Sequence, residues 1–219
     1  MDLVSVIIPT YNRFKYLLNA INSVKNQTYE NIELIVVNDC STQKEYYEFN
    51  WKEYGVTMIH LKQNSKAKFG FTCAGYVRNK GIVETKGKYI AFCDDDDIWF
   101  PYKIELQLIA MKESECKMSS TDGFKGKGVY NSSKNYDIIY NIAHSHIWDL
   151  KFIKDWNPII CSSVIIEKEI LNKINNMDNV INGQEDWGCW KKALKYTNSA
   201  YINIPLIYYD DNHGYGRNY

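Results

Sequence analysis

The sequence predicts an α/β fold of Rossmann-like design, with a mostly parallel central sheet flanked by helices. Three observations carry that expectation. Leu3 to Pro9 (LVSVIIP) and Ile32 to Val37 are short, β-branched apolar runs, the pattern of strands covered on both faces. The stretch between them has helical periodicity, and strand, helix and strand in that order make a right-handed crossover unit. A third run, Tyr89 to Cys93, is uncharged and leads straight into four consecutive aspartates, Asp94 to Asp97. In such sheets the ligand site lies off the carboxyl ends of the strands.

Taken in order, the first run breaks at Thr10, Tyr11 and Asn12, after which Phe14, Leu17, Leu18, Ile21 and Val24 recur at helical spacing. Asn12 is the expected cap of that helix. The second strand ends in Asn38-Asp39-Cys40-Ser41-Thr42. Lys44 to Lys52 reads as helix, Thr57 to Leu61 as strand and the basic, glycine-bearing Lys62 to Thr72 as loop. Cys73 to Thr85 places Ala74, Val77, Gly81 and Ile82 on one helical face, with Arg78 near its middle. Pro101 can open the next helix, striped by Ile104, Leu108 and Met111. Ser119 to Asp155 is polar, aromatic and weakly periodic, as expected of short strands and loops over a site. Ile159 to Ile166 reads as a strand, about Lys168 to Ile174 as a helix, Asn182 to Gln184 as a turn, and Glu185 to Tyr196 as a helix in which Trp187 and Trp190 are spaced for packing. Tyr201 to Tyr209 is a strand region interrupted by Pro205, and Asp210 to Tyr219 a polar tail.

At 219 residues the chain suits one domain, 1–219, divided into halves at residue 101. Basic and acidic side chains balance at 26 each, so no nucleic-acid surface or polybasic membrane anchor is advertised. Six scattered cysteines without CxxC spacing fit reduced thiols better than a disulfide framework or a zinc site. No apolar run approaches the roughly 18 residues of a membrane span, and none resembles a signal peptide. A cytoplasmic protein is expected, with peripheral membrane attachment left open. Oligomeric state is not legible.

Four adjacent carboxylates repel one another, and a folded chain keeps them most readily around a cation. In an extended segment Asp94 and Asp96 share one side while Asp95 and Asp97 face elsewhere. Oxygen-only ligands suit a hard ion, Mg2+ or Mn2+, which typically holds phosphate oxygens. The plain alternative is a solvated acidic turn. A second acidic pair, Glu185-Asp186, opens a helix, where it also opposes the helix dipole. Arg78 stands out because the chain has only three arginines, and an arginine contacts phosphate bidentately.

Four segments, VSVIIPTYNR, ELIVVNDCST, YVRNKGIVETKGKYIAFCDDDDIWFP and GQEDWGCW, occur in the order and spacing of glycosyltransferase family 2, and together span nearly the whole chain. The sequence resembles that family of inverting enzymes with a GT-A fold. It departs in having Asn38-Asp39 where two acids are frequent, and Cys40-Ser41-Thr42 where Gly-Ser-Thr is frequent. The resemblance implies a nucleotide-sugar donor, a UDP-sugar foremost, a glycan or other hydroxyl acceptor, and Mn2+ or Mg2+. It implies that Pro9, Thr10, Tyr11 and Asn12 line the nucleotide pocket and that Asp39 accepts from the base. Arg78 would lie against base and diphosphate. Asp94 and Asp95 would serve the nucleotide, Asp94 and Asp96 the metal with His213 as a further ligand. Asp186 would be the general base, paired with Glu185. Trp99, just after the acids, is a candidate for the donor pocket.

Two rival readings remain at this stage. A sugar nucleotidyltransferase would want a glycine-rich, basic loop after the first strand, and PTYNR lacks the glycines. A non-catalytic nucleotide-sugar or glycan-binding module would dispense with one of the two acidic sites, and both are present.

Overall fold

The computed structural model describes residues 1–181 and 183–212. A ten-stranded sheet runs through it. Its first half is parallel: β1 (Val4–Thr10) pairs on one side with β2 (Ile32–Asn38), which pairs with β3 (Thr57–His60), and on the other side with β4 (Tyr89–Phe92). The chain thus runs outward from β1 through β2 to β3, then returns to β4 on the opposite flank. β1 and β4 bound a topological switch point, where a crevice opens beyond the strand ends.

Side chains alternate across β1. Val4, Val6 and Ile8 pack with Leu17, Ile21 and Val24 of α1 (Phe14–Lys25), whereas Ile7 packs with Val77 and Ile82 of α4 (Ala74–Glu84). Burying each such aliphatic side chain contributes about 1.5–3 kcal/mol. Gly81 lets α4 lie close: a Cβ there would stand 2.7 Å from Ile7 Cγ2.

The second half is mixed. β4 continues through β9 (Ile165–Glu167) and β6 (Met118–Gly126) by antiparallel pairing. β6 then runs parallel to β10 (Ser199–Asp210), with register shifts on both sides of Pro205. Short β5 (Ile98–Trp99), β7 (Asp137–Ile138) and β8 (His146–Trp148) add antiparallel edges. The longest registers, β6 with β10 and β1 with β2, are parallel. Residues of α5 (Lys103–Ser114) join the α1 side of the core, and those of α6 (Lys168–Lys173) and α7 (Glu185–Ala193) the α4 side.

Several local expectations are corrected. Asn12 does not cap α1. It sits at φ 52°, and its Oδ1 accepts from the backbone N–H of Thr42 and Gln43, while Gln43 Oε1 accepts from Phe14 N–H, so the β2 loop caps the helix. The helix expected over Lys44 to Lys52 shrinks to α2 (Glu45–Glu48), because the Trp51 indole folds back to donate to the Tyr46 carbonyl. Within the expected loop lies α3 (Ser65–Phe69), capped by Asn64 and ended by left-handed Gly70. Ile159 to Ile166 is not one strand. A 3-10 turn at Cys161–Ser163 precedes β9. α7 ends at Ala193, short of Tyr196. No helix among the described residues is long and apolar enough to cross a membrane, and all six cysteines are free thiols.

Candidate active site

The four aspartates leave β4 as a tight turn, closed by the Asp97 N–H on the Asp94 carbonyl. Burial alternates as the sequence pattern suggests: Asp95 and Asp97 are buried, Asp94 and Asp96 half-buried. The partners are new. Thr10, at the end of β1, donates its hydroxyl to Asp95 Oδ2 at 2.7 Å and is also bonded to the Tyr46 hydroxyl. Arg13 Nη1 spans the turn, 3.1 Å from Asp95 Oδ1 and 2.8 Å from Asp96 Oδ2. Burial still pushes the Asp95 carboxyl up to about 7, with Arg13 opposing. Asp97 is pushed well above the carboxylate range by burial and by Asp96 and Asp94. Its Oδ1 accepts from the Asp210 N–H, joining the turn to the end of β10. From below, Ser162 of the 3-10 turn accepts the Asp94 N–H and, through its carbonyl, the Trp99 indole.

Arg78 links this turn to the second acidic pair. Its guanidinium, only 4% exposed, reaches Asp94 Oδ1 at 2.6 Å with Nη2 and Glu185 Oε1 at 2.9 Å with Nη1. Glu185 Oε2 accepts the N–H groups of Gly183 and Gln184 ahead of α7. Asp186 accepts from the Trp187 N–H at 2.6 Å and from Asn157 Nδ2 at 3.3 Å. Burial and the Glu185 charge raise the Asp186 carboxyl to about 6, against the pull of Arg78. Gly75 permits the approach of α4 to this region, since a Cβ there would lie 2.6 Å from the Asp178 carbonyl and 3.1 Å from Glu185 Cβ.

These groups surround one open cavity of about 590 Å3, whose walls include Pro9, Arg13, Arg78, Asp94, Asp95, Asp96, Glu185 and Asp186. The expected acids of both motifs therefore meet. Asp39 lies beside it, at a hollow of about 10 Å3 that shares Pro9 and Ala74 as walls and also touches Thr10. Its carboxylate accepts from Ser65 N–H, the Ser65 hydroxyl and Asn64 Nδ2, and burial raises it to about 6 despite the Ser65 bonds. Asn12 spends its side-chain oxygen on the β2 loop, and Tyr11 is half-buried. Trp99 is not at the cavity: 2% exposed, it packs in the core under Lys103, because β5 turns it inward. Trp187 packs against the core as expected and, being only partly buried, also lines the cavity, while Trp190 is fully buried. His213 lies outside the described residues.

Sequence reasoning missed Arg13, Tyr46, Ser162, Asn157 and Trp156. For Arg13 a signal existed in the scarcity of arginine and its place directly after PTYN. The others carry no local signature.

A divalent cation fits the donor chemistry of this cavity. Among the described residues carboxylates outnumber cations around it seven to three. No three His, Cys, Asp or Glu side chains of the described residues converge as a ready cage, since Asp94 faces Arg78 and Asp96 faces Arg13. Mg2+ commonly needs only one or two carboxylates beside substrate phosphates.

Comparison with known proteins agrees with this architecture. Residues 5–174 match the family model "Glycosyl transferase family 2". The putative teichuronic acid biosynthesis glycosyltransferase TuaG of Bacillus subtilis is 32% identical over 91% of this chain and 75% of its own. The UDP-Glc:alpha-D-GlcNAc-diphosphoundecaprenol beta-1,3-glucosyltransferase WfgD of Escherichia coli is 31% identical over 94% and 75%. An uncharacterized glycosyltransferase of Rickettsia bellii is 44% identical, but over 54% of this chain and only 16% of its own length. Among solved structures, S. aureus TarS 1-349 in complex with UDP-GlcNAc superposes with a TM-score of 0.76 at 21% identity, covering 99% of this chain and 61% of that one. That likeness shows a shared fold: a curled, mostly parallel sheet flanked by helices. With the model matched from β1 through α6 and two relatives above 30% identity over nearly the whole chain, the protein belongs to glycosyl transferase family 2.

Proposed function

We propose that this chain transfers a sugar from a nucleotide-sugar donor, foremost a UDP-sugar, to a hydroxyl of a glycan or other acceptor, by a single inverting displacement with Mn2+ or Mg2+. The observation that carries the reading is Arg78, which ties the acid turn to the Glu185-Asp186 pair across one cavity. The printed donor of WfgD and the UDP-GlcNAc bound by TarS support the choice of a UDP-sugar. Residues 1–101 serve the donor, and 102–219 the acceptor.

In this reading the bond from the anomeric carbon to the diphosphate breaks as the acceptor oxygen bonds the opposite face, and the acceptor proton passes to Asp186. A group that ionises at about 6 is largely deprotonated at neutral pH yet still basic enough to take the proton, a role worth about 10² to 10⁴ in rate. Glu185, held by Arg78 and two backbone N–H groups, fixes the start of α7 and keeps its neighbour aimed at the cavity. Arg78 and Arg13 offer guanidinium groups to the departing diphosphate. Asp39 takes a base N–H beside its bonds from Ser65, each carboxylate oxygen having two lone pairs. Asp94 and Asp96, with His213, would hold the metal, which when bound supplies Lewis-acid stabilisation of the leaving group.

Asp186→Asn is the direct test: transfer is lost while UDP binding, measured by calorimetry, persists. Unchanged turnover removes Asp186 as the base. EDTA stops the reaction and Mn2+ restores it; indifference to chelation removes the metal.

A further inference from the structure

We propose that Trp156 is the platform on which the acceptor lies, and that the acceptor group is an uncharged pyranose; this rests on the transfer reading above. The other tryptophan of the cavity wall is committed elsewhere. Trp187 donates its indole N–H to the Ile153 carbonyl and carries Lys191 Nζ 3.7 Å from its ring centre. Trp156 differs. Its side of the chain lines the cavity, yet the residue is 46% exposed.

The ring is also held in place. Tyr140 and Phe152 each meet it at 5.9 Å in edge-type contacts, which restrain the indole although nearly half of the residue is exposed. Behind Tyr140, buried Asp122 accepts the backbone N–H groups of Tyr140 and Asn141 and the Tyr201 hydroxyl, so the buttress itself is anchored. The next residue in the chain sets the register to the chemistry. Asn157 Nδ2 donates to Asp186 Oδ2, and its Oδ1 accepts from the Ile159 N–H at 3.2 Å, which orients the amide. One dipeptide therefore places an exposed aromatic face and the partner of the proposed base side by side.

That pairing selects a sugar ring. A pyranose presents an apolar C–H face to an indole and hydroxyls at its edge to carboxylates, whereas a lipid alcohol or a serine hydroxyl has no ring face to rest there. On the Trp156 side the neighbouring Asn157 holds the Asp186 carboxylate, whose charge disfavours an anionic group on the acceptor ring.

The test uses the full chain with UDP and Mg2+, and methyl α- and β-glycosides of glucose, galactose, mannose and N-acetylglucosamine as probes, read by saturation-transfer NMR. At least one glycoside receives saturation on its ring C–H protons. Trp156→Ala weakens that glycoside roughly tenfold or more, as expected when one stacking aromatic is removed, and Trp156→Phe recovers part of the loss. UDP affinity, followed by calorimetry on the same samples, stays as in the parent and certifies the fold. The inference is overturned if UDP binds but no glycoside is contacted, if Trp156→Ala binds the glycosides as well as the parent, or if a short prenyl alcohol is contacted in their place. Failure of UDP to bind instead overturns the donor reading on which the inference rests.

Discussion

Replacing Arg78 with Met isolates the contact that joins the two acidic sites. Arg78 is 4% exposed and its side chain satisfies Asp94 at 2.6 Å and Glu185 at 2.9 Å. Met keeps the bulk and removes the charge, so two carboxylates lose their partner at once. Deleting one member of a buried ion pair costs about 3–5 kcal/mol. The Asp94 side chain is 29% exposed, so water recovers part of its loss, and Glu185, at 5%, keeps the Gly183 and Gln184 N–H groups. The lower end, about 3 kcal/mol at pH 7, follows; with a urea slope near 2 kcal/mol/M the midpoint falls by about 1.5 M. In the variant, Asp186, which burial and the Glu185 charge already raise to about 6, loses the opposing pull of Arg78, so its folded pKa rises further above its unfolded one. Such a group favours the fold when protonated, and the deficit relative to the parent therefore shrinks as pH falls from 7 to 5. Arg78→Lys is intermediate, because one ammonium cannot serve both acids in the fork geometry. Urea melts at both pH values decide: a deficit below about 1 kcal/mol, or one that grows on acidification, refutes the account of a bridged acid pair.

Three further outcomes follow from the same geometry. Under the proposed role of Asp186 as base, the acid limb of kcat/KM, read as UDP release, lies at about pH 6, and Asn157→Leu moves it upward by removing a donor to the charged form; a limb near pH 4 contradicts that role. Gly75→Ala forces a methyl to within 2.6 Å of the Asp178 carbonyl and against Glu185, so it destabilises by about 1–3 kcal/mol in urea and lowers turnover together. Lys103 is fully buried, with Nζ on Gln107 Oε1 at 2.7 Å and over the Trp99 ring, and burial lowers its pKa to about 7. A cation depressed in the fold contributes stability that grows as pH rises from that value toward the unfolded one and is lost as pH falls through it; against Lys103→Met, the parent gains up to about 1.4 kcal/mol per pH unit between 7 and 9, and parallel pH curves would exclude the effect.

What the sequence disclosed, and what it withheld, divides along physical lines. β1, β2 and β4 were legible because strands buried on both faces are continuous apolar runs, and their polar endings could only fall at one sheet edge. β6 was hidden although it is nine residues long, since MSSTDGFKG has no apolar alternation. It is buried because its polar groups are paired, Ser119 with Gln107 and Asp122 with Tyr201 and two backbone N–H groups. The serines that break Ile159 to Ile166 act likewise, their hydrogen bonds holding a turn where β-branched neighbours advertise a strand. Trp99 illustrates the opposite error: adjacency to the acids suggested the site, but a two-residue strand points successive side chains to opposite faces.

The aspartate turn shows where local reasoning must stop. Repulsion among four carboxylates correctly demanded compensation, and a metal was the compensator that sequence could name. The fold supplies several others at once: guanidinium groups from α4 and from the start of α1, a threonine hydroxyl, a serine hydroxyl and a backbone N–H from β10, while burial raises the Asp97 carboxyl well above the usual range. Apart from Arg78, which shares a motif with the aspartates, these groups come from segments distant in the chain, so no window around Asp94 could contain them. A cation that binds here must therefore compete with Arg13 and Arg78 for Asp96 and Asp94, and the departing diphosphate, which draws the same arginines to itself, is the group that would release those carboxylates to the metal. On this view metal and donor bind cooperatively. Mn2+ affinity measured with and without UDP should differ by more than tenfold, a coupling above about 1.4 kcal/mol, and equal affinities would mean the arginines do not guard the acids.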